Sequence, residues 1–389
     1  MKSNVSYSTQ ISAFEAGVET GKKAKKSVKN PKIGMLYTSV KYNQKEVIKG
    51  IKSEMGDIPV IGCTSSEKII VPDGIISSEN GFAGMLTLED NDLEVSVAAS
   101  ELQKGGARET GRKVAQEALE KIGAGYAPSY YYMVASPKEE EYYVKGIQDV
   151  IGDVPFFGGS AADDTLAGEW KIFCDDKCFS DGVAVAFFFT ECPEDIKTVY
   201  TGAYKESENV GIVTKVEGDR KIVEIDGVPA LKKYAEWTNQ NVKDLYGMNL
   251  LTASITMPLG VKDPIGDLTL IRHPMNGNED NTISVGNKVV ENTAIIQMES
   301  SIDGIIDATK DTLKDLNKKM DNPAAYFFVH CGGRKIGIGD RLEEVHKNLV
   351  KEANGVPFIT IFTFGEYGYN EHSRNSCGGL MLSFTGFEK

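Results

Sequence analysis

Three stretches of the chain, Lys32 to Asp90, Tyr130 to Thr190 and Tyr326 to Gly386, spell out one order of elements. An internal repeat of this kind restricts the fold more than any single motif. Each copy opens on a short apolar strand: Ile33 to Tyr37, Tyr130 to Val134 and Tyr326 to Val329. A helical stripe follows. It is carried by Val47, Ile48, Ile51 and Met55 in the first copy, by Tyr143, Val144, Ile147, Val150 and Ile151 in the second, and by Leu342, Val345, Leu349 and Val350 in the third. Such spacing buries one face of a helix on a sheet. Ile58-Pro59, Val154-Pro155 and Val356-Pro357 then lead into a second strand that stops in a polar turn. A glycine opens the third strand: Gly81 to Leu88, Gly182 to Thr190 and Gly378 to Phe384.

Strand, helix and strand in succession predict right-handed parallel crossovers. The expected class is α/β, with mixed sheets built from repeated strand–helix–strand units. In the first two copies the third strand leads to another, Leu93 to Ala99 and Ile196 to Tyr204, with no helix between, which predicts antiparallel meanders. Further helices are predicted around Ala13 to Lys26, along Gly111 to Ile122 and along Ile305 to Met320. Thr214 to Glu224 reads as a hairpin around Gly218-Asp219. After it, Asp226-Gly227-Val228-Pro229 opens a helix with proline at its first turn. The composition changes there, so two domains are expected, 30–225 and 226–389.

Charge narrows the partners. With 43 basic and 56 acidic residues the net charge is −13, which repels phosphate backbones and disfavours nucleic acid. No apolar run approaches the ~18–20 residues of a membrane span, and the N-terminus lacks a signal pattern, so a cytoplasmic protein without membrane insertion is expected. The 6 cysteines include no CxxC pair, and a cytoplasm would keep them reduced. Cys174 and Cys178 flank a hairpin tip across which their thiols could face each other.

Ligands of open α/β sheets bind beyond the carboxyl ends of parallel strands. The repeats send Cys63-Thr64-Ser65-Ser66, Gly158 to Asp164, His330 to Arg334 and Phe364 to Tyr367 to that edge. A bidentate Arg334 suits a carboxylate. Asp163, Asp164 and Glu366 could take an ammonium group, so a zwitterion in a shared hollow would satisfy both sets. Catalytic machinery is hard to assemble from the 4 histidines, His273, His330, His346 and His372. His330 and Cys331 are neighbours on a strand and point to opposite faces. HExxH, GxSxG, Walker A and dinucleotide motifs are all missing. Cys63, Cys331 and Cys377 with His330 could instead bind haem iron or an iron–sulfur cluster, and Cys63 or Cys331 could serve a thiol-dependent enzyme acting on a small acid.

The residues also resemble a known family. Pro59 to Ser65 (PVIGCTS), Gly158 to Asp164 (GGSAADD) and Ser180 to Ala186 (SDGVAVA) look like the FIST N-terminal domain. Pro258-Leu259-Gly260, Arg272-His273-Pro274, His330 to Arg334, Phe364-Gly365-Glu366 and Asn375 look like the FIST C-terminal domain. The resemblance implies a sensory protein, not an enzyme, that binds a small polar metabolite such as an amino acid. It would signal through a partner such as a histidine kinase, a cyclic-dinucleotide enzyme or a chemoreceptor. It also implies that some relatives carry haem. Cys63, Thr64, Ser65, Ser160, Asp163, Asp164, His330, Cys331, Arg334 and Glu366 are the ligand-binding residues this reading nominates, with no metal ligand and no required cofactor. Where relatives follow the first turn with glycine-glutamate, this chain has Glu67-Lys68.

Overall fold

A computed structural model describes residues 1–263, 268–370 and 374–389. The repeat is longer than the three stretches suggest. The first copy runs β1 (Lys2–Ser8), α1 (Ala13–Lys25), β2 (Ile33–Thr38), α2 (Gln44–Met55), β3 (Val60–Thr64), β4 (Ile69–Val71), β5 (Gly74–Ile76) and β6 (Ala83–Glu89). The second runs β7 (Glu94–Glu101), α3 (Ala107–Ile122), β8 (Tyr130–Ala135), α4 (Glu140–Ile151), β9 (Phe156–Ser160), β10 (Ile172–Cys174), β11 (Lys177–Phe179) and β12 (Gly182–Phe189). The third opens with β13 (Ile196–Gly202) and is then interrupted.

The insertion comprises β14 (Lys205–Glu217), β15 (Lys221–Ile225), β16 (Val228–Pro229), α5 (Ala230–Thr238), α6 (Asn249–Ala253), β17 (Leu259–Lys262), β18 (Thr269–Arg272), β19 (Pro274–Gly277), β20 (Ile283–Val285) and β21 (Ala294–Glu299). Its strands form a separate antiparallel sheet over a core that includes Leu231, Tyr234 and Leu245. Lys205 pairs with Glu299, so the insertion leaves and rejoins the repeat at one point. The third copy resumes with α7 (Ile302–Asn317), β22 (Pro323–Cys331), α8 (Gly332–Ile338), α9 (Leu342–Ala353), β23 (Phe358–Thr363), β24 (Glu366–Asn370), β25 (Arg374–Gly378) and β26 (Met381–Glu388).

Three sheets of one plan result, β1-β6-β2-β3, β7-β12-β8-β9 and β13-β26-β22-β23. The crossover pairs β2·β3, β8·β9 and β22·β23 are parallel, and the third strand of each copy is antiparallel to its first. The fold is thus mixed α/β. The meanders do not form. β7 leaves β6 and pairs with β12, and β13 leaves β12 and pairs with β26, because these strands open the next copy rather than close the previous one. The hairpins travel further. β4-β5 extends β23, β10-β11 extends β3, and β24-β25 extends β9. Each copy therefore lends a hairpin to the sheet of another, and the three sheets form a closed ring of exchanges.

Their inner faces bury one aromatic ring from each copy at the centre. Tyr37 OH and Tyr132 OH are 2.7 Å apart, and both rings pack on Phe327. Outside, helices cover each sheet in pairs. α1 meets α2 at Gly17 and Gly50, where an added Cβ would lie 2.0 Å and 2.2 Å from backbone oxygens. α3 meets α4 in the same way at Gly111 and Gly146. Among the described residues no helix is long and apolar enough to cross a membrane.

Candidate functional site

The polar ends of the second strands converge, but they close on one another. Ala162 N–H donates to Thr64 O at 3.0 Å, Ser160 N–H to Gly365 O at 2.8 Å, and Ser66 N–H to Phe362 O at 3.0 Å. These bonds link first copy to second, second to third and third to first. The shared hollow expected from the repeat is filled, because the exchanged hairpins bring backbone partners to the strand ends and satisfy them there.

The nominated side chains follow suit. Thr64 Oγ1 accepts from Lys171 N at 3.0 Å, and Ser65 Oγ accepts from Phe362 N at 2.9 Å. Ser160 Oγ lies 2.6 Å from Tyr367 OH. Asp163 is buried and accepts four backbone N–H groups, from Thr165, Leu166, Gly168 and Glu169, at 2.5 to 3.1 Å. Asp164 accepts from Glu67 N at 2.7 Å. Arg334 donates to the carbonyls of Ile305 at 2.7 Å and Leu380 at 3.3 Å, so backbone dipoles rather than a ligand carboxylate receive it. Burial pushes its guanidinium down. Glu366 accepts from Thr363 Oγ1 and Met381 N, each at 2.9 Å, and burial lifts it to about 8.

The residues proposed for haem or a cluster do not fit one. His330 is fully buried, edge-on to Phe362, with Nε2 lacking a partner. Burial, then the Arg334 charge, hold it down to about 3. Burial drives the thiols of Cys63, Cys331 and Cys377 up, the reverse of what a ligating or nucleophilic thiolate needs. Cys174 stands opposite Lys177 and Cys178 opposite Phe173, so alternation sends the two thiols to opposite faces instead of toward each other. The glycine-rich run after Cys331 is the short helix α8, not a phosphate loop. His346 Nε2 bonds Pro72 O at 3.1 Å, and His372 lies outside the described residues.

The open space is elsewhere. A cavity of about 540 Å³ lies where the insertion meets the second and third copies. Leu166 and Trp170 form one wall, Met248, Leu251 and Met275 of the insertion another, and Cys331, Gly333, Ile336 and Phe364 the third. The loop of the first wall is the one folded around Asp163. Trp170 also meets Phe364 edge-on at 6.2 Å. At the mouth, Met248 is 50% and Ile336 47% exposed. His273 lines the cavity, and burial holds it neutral, at about 4. Its Nε2 is 3.0 Å from Leu251 O, an acceptor, so the proton sits on Nε2 and Nδ1 keeps a lone pair.

Among the described residues, the cations around the cavity are ion-paired except at one point. Asp219 accepts from Tyr142 OH at 2.8 Å, and Glu217 pairs with Lys221 at 2.9 Å. Arg220 is held by Glu141 and by Gly286 O, with Glu140 at 3.5 Å. Glu140 also accepts from Asn287 Nδ2 at 3.2 Å. Its carboxyl is raised, because burial and the Glu141 charge outweigh Arg220. The first turn of α4 therefore grips the insertion's hairpin. Lys138, at positive φ on the cavity wall, has no ion-pair partner among the described residues.

The FIST N domain matches residues 32–228 and the FIST C domain residues 230–369. The chain belongs to the FIST family. No curated protein matches it significantly. FIST domains are sensory rather than catalytic domains. In this FIST protein the junction of the two matches falls beside β16, inside the insertion, and both matched regions wall the cavity. Of the nominated residues Cys331 alone lines it, and its Sγ already accepts from Gly333 N at 3.3 Å. Lys138, Leu166, Trp170, Arg220 and Asn287 carried no nomination. His273 and Gly333 stood in quoted motifs, and Trp170 is one of only 2 tryptophans.

Proposed function

We propose that the protein is a sensor whose input site is this cavity, filled by a small metabolite such as an amino acid. One observation carries the reading: a space within the ~300–1,000 Å³ of small-molecule sites is walled by both matched domains. A ligand there touches the insertion and the repeat core at once, and it shifts any equilibrium in their contact by its difference in affinity for the two arrangements. The output passes to a separate signalling protein, of the histidine-kinase, cyclic-dinucleotide or chemoreceptor kind, in the cytoplasm.

A thermal-shift screen of amino acids and other metabolites tests it. A true ligand raises Tm saturably, by an amount equivalent to ~2.7 kcal/mol at 100 times its Kd. Ile336→Trp, which fills the half-exposed mouth, removes the rise. A screen in which nothing raises Tm, or in which Ile336→Trp leaves every rise intact, defeats the proposal.

A further inference from the structure

Resting on that reading of the cavity, we infer that its ligand is a carboxylate carrying a ring-sized apolar body and a hydrogen-bond donor, not a small wholly polar metabolite. Three observations converge. The walls present Trp170, Phe364, Leu166, Met248, Met275 and Leu251, an apolar surface that a polar solute would leave poorly paired. The flexible thioethers of the two methionines suit packing against a flat ring. Lys138 is the lining cation without an ion pair among the described residues, since Arg220 and Lys221 already have carboxylate partners. An anion at one end of the ligand completes it.

The third observation is His273. With its proton committed to Leu251 O, Nδ1 can only accept, so the ligand brings a donor there. Gly333 lies close against this ring: a Cβ at residue 333 would come 2.8 Å from Leu380 Cδ2, 3.1 Å from His273 Cε1 and 3.3 Å from Nδ1. A carboxylate bearing nothing else leaves His273 and the apolar walls unused. A neutral hydrocarbon leaves Lys138 unused.

The probes are 3-phenyllactate and indole-3-lactate, which carry ring, carboxylate and hydroxyl. 3-Phenyllactamide lacks the charge and glutamate lacks the apolar body. Binding to the full chain is read by calorimetry and, for the phenyl compounds, by Trp170 emission in a Trp237→Phe background. The expected result is saturable binding of the lactates, lost in Ile336→Trp. The amide binds weaker by on the order of fivefold to tenfold. Lys138→Met brings 3-phenyllactate down to the amide's affinity and leaves the amide unchanged; this exposed residue gives little reason for misfolding. If glutamate binds as well as the lactates and Ile336→Trp removes it, the inference falls while the cavity stays a sensor site. If neither lactate shows binding sensitive to Ile336→Trp, the inference falls too. The site reading itself falls only when the whole metabolite screen gives no rise sensitive to that variant.

Discussion

A carboxylate that gathers four backbone N–H groups, as Asp163 does, fixes a loop rather than waiting for a solute. Asp163→Ala should lower stability by about 3 kcal/mol, since several buried donors lose a charged acceptor. Urea unfolding measures the loss, and Trp170 emission should shift with it because that loop carries Trp170. Glu366 gives a pH prediction. Its folded pKa of about 8 lies above that of an unfolded glutamate, so the protonated form favours the fold. This contribution is complete below about pH 4.5 and falls away as pH rises toward 8. Unfolding at pH 5 and pH 8 should show a smaller pH-dependent loss in Glu366→Gln than in the parent. Residue chemistry was legible in kind, in that Asp163, Arg334 and Glu366 are all special. Their partners were not, because a buried carboxylate bonded to backbone and one facing a ligand look alike in sequence.

At the level of elements, helix pairing depends on glycines that admit backbone contact. An alanine at Gly50 would place Cβ 2.2 Å from Phe14 O, and one at Gly146 would place it 1.9 Å from Arg108 O. Each change should cost about 2 kcal/mol or more. Gly125→Ala, with no atom within 4 Å, should be near neutral by the same denaturation assay. Helical stripes and strand order were readable because burial on one face leaves a period in the residues. The pairing of β7 and β13 was not, since a strand's period says which face is buried but not which edge it joins. Glu67 is a local case. It takes φ 60 where the family's glycine would be at ease, and it answers the buried Lys335 across 2.8 Å.

For the whole molecule, the insertion is what turns a symmetric core into one with a pocket. Replacing residues 206–298 by Gly-Gly should be geometrically allowed, because Lys205 and Glu299 already face each other across a strand pair. The product should keep mixed α/β circular dichroism and one unfolding transition at lower urea, and it should lose every ligand-induced rise in Tm. Two transitions would show that the core does not fold as a unit. The cavity was invisible to sequence reading since its walls come from segments as distant as Lys138 and Gly379.

The ring of lent hairpins also sets a timetable for the ribosome. β9 (Phe156–Ser160) receives its neighbour only when residues 366–370 have been made, long after β9 itself. A nascent chain therefore carries an open sheet margin for the whole of that interval. Any message cut short before that point should yield a product that proteases clear.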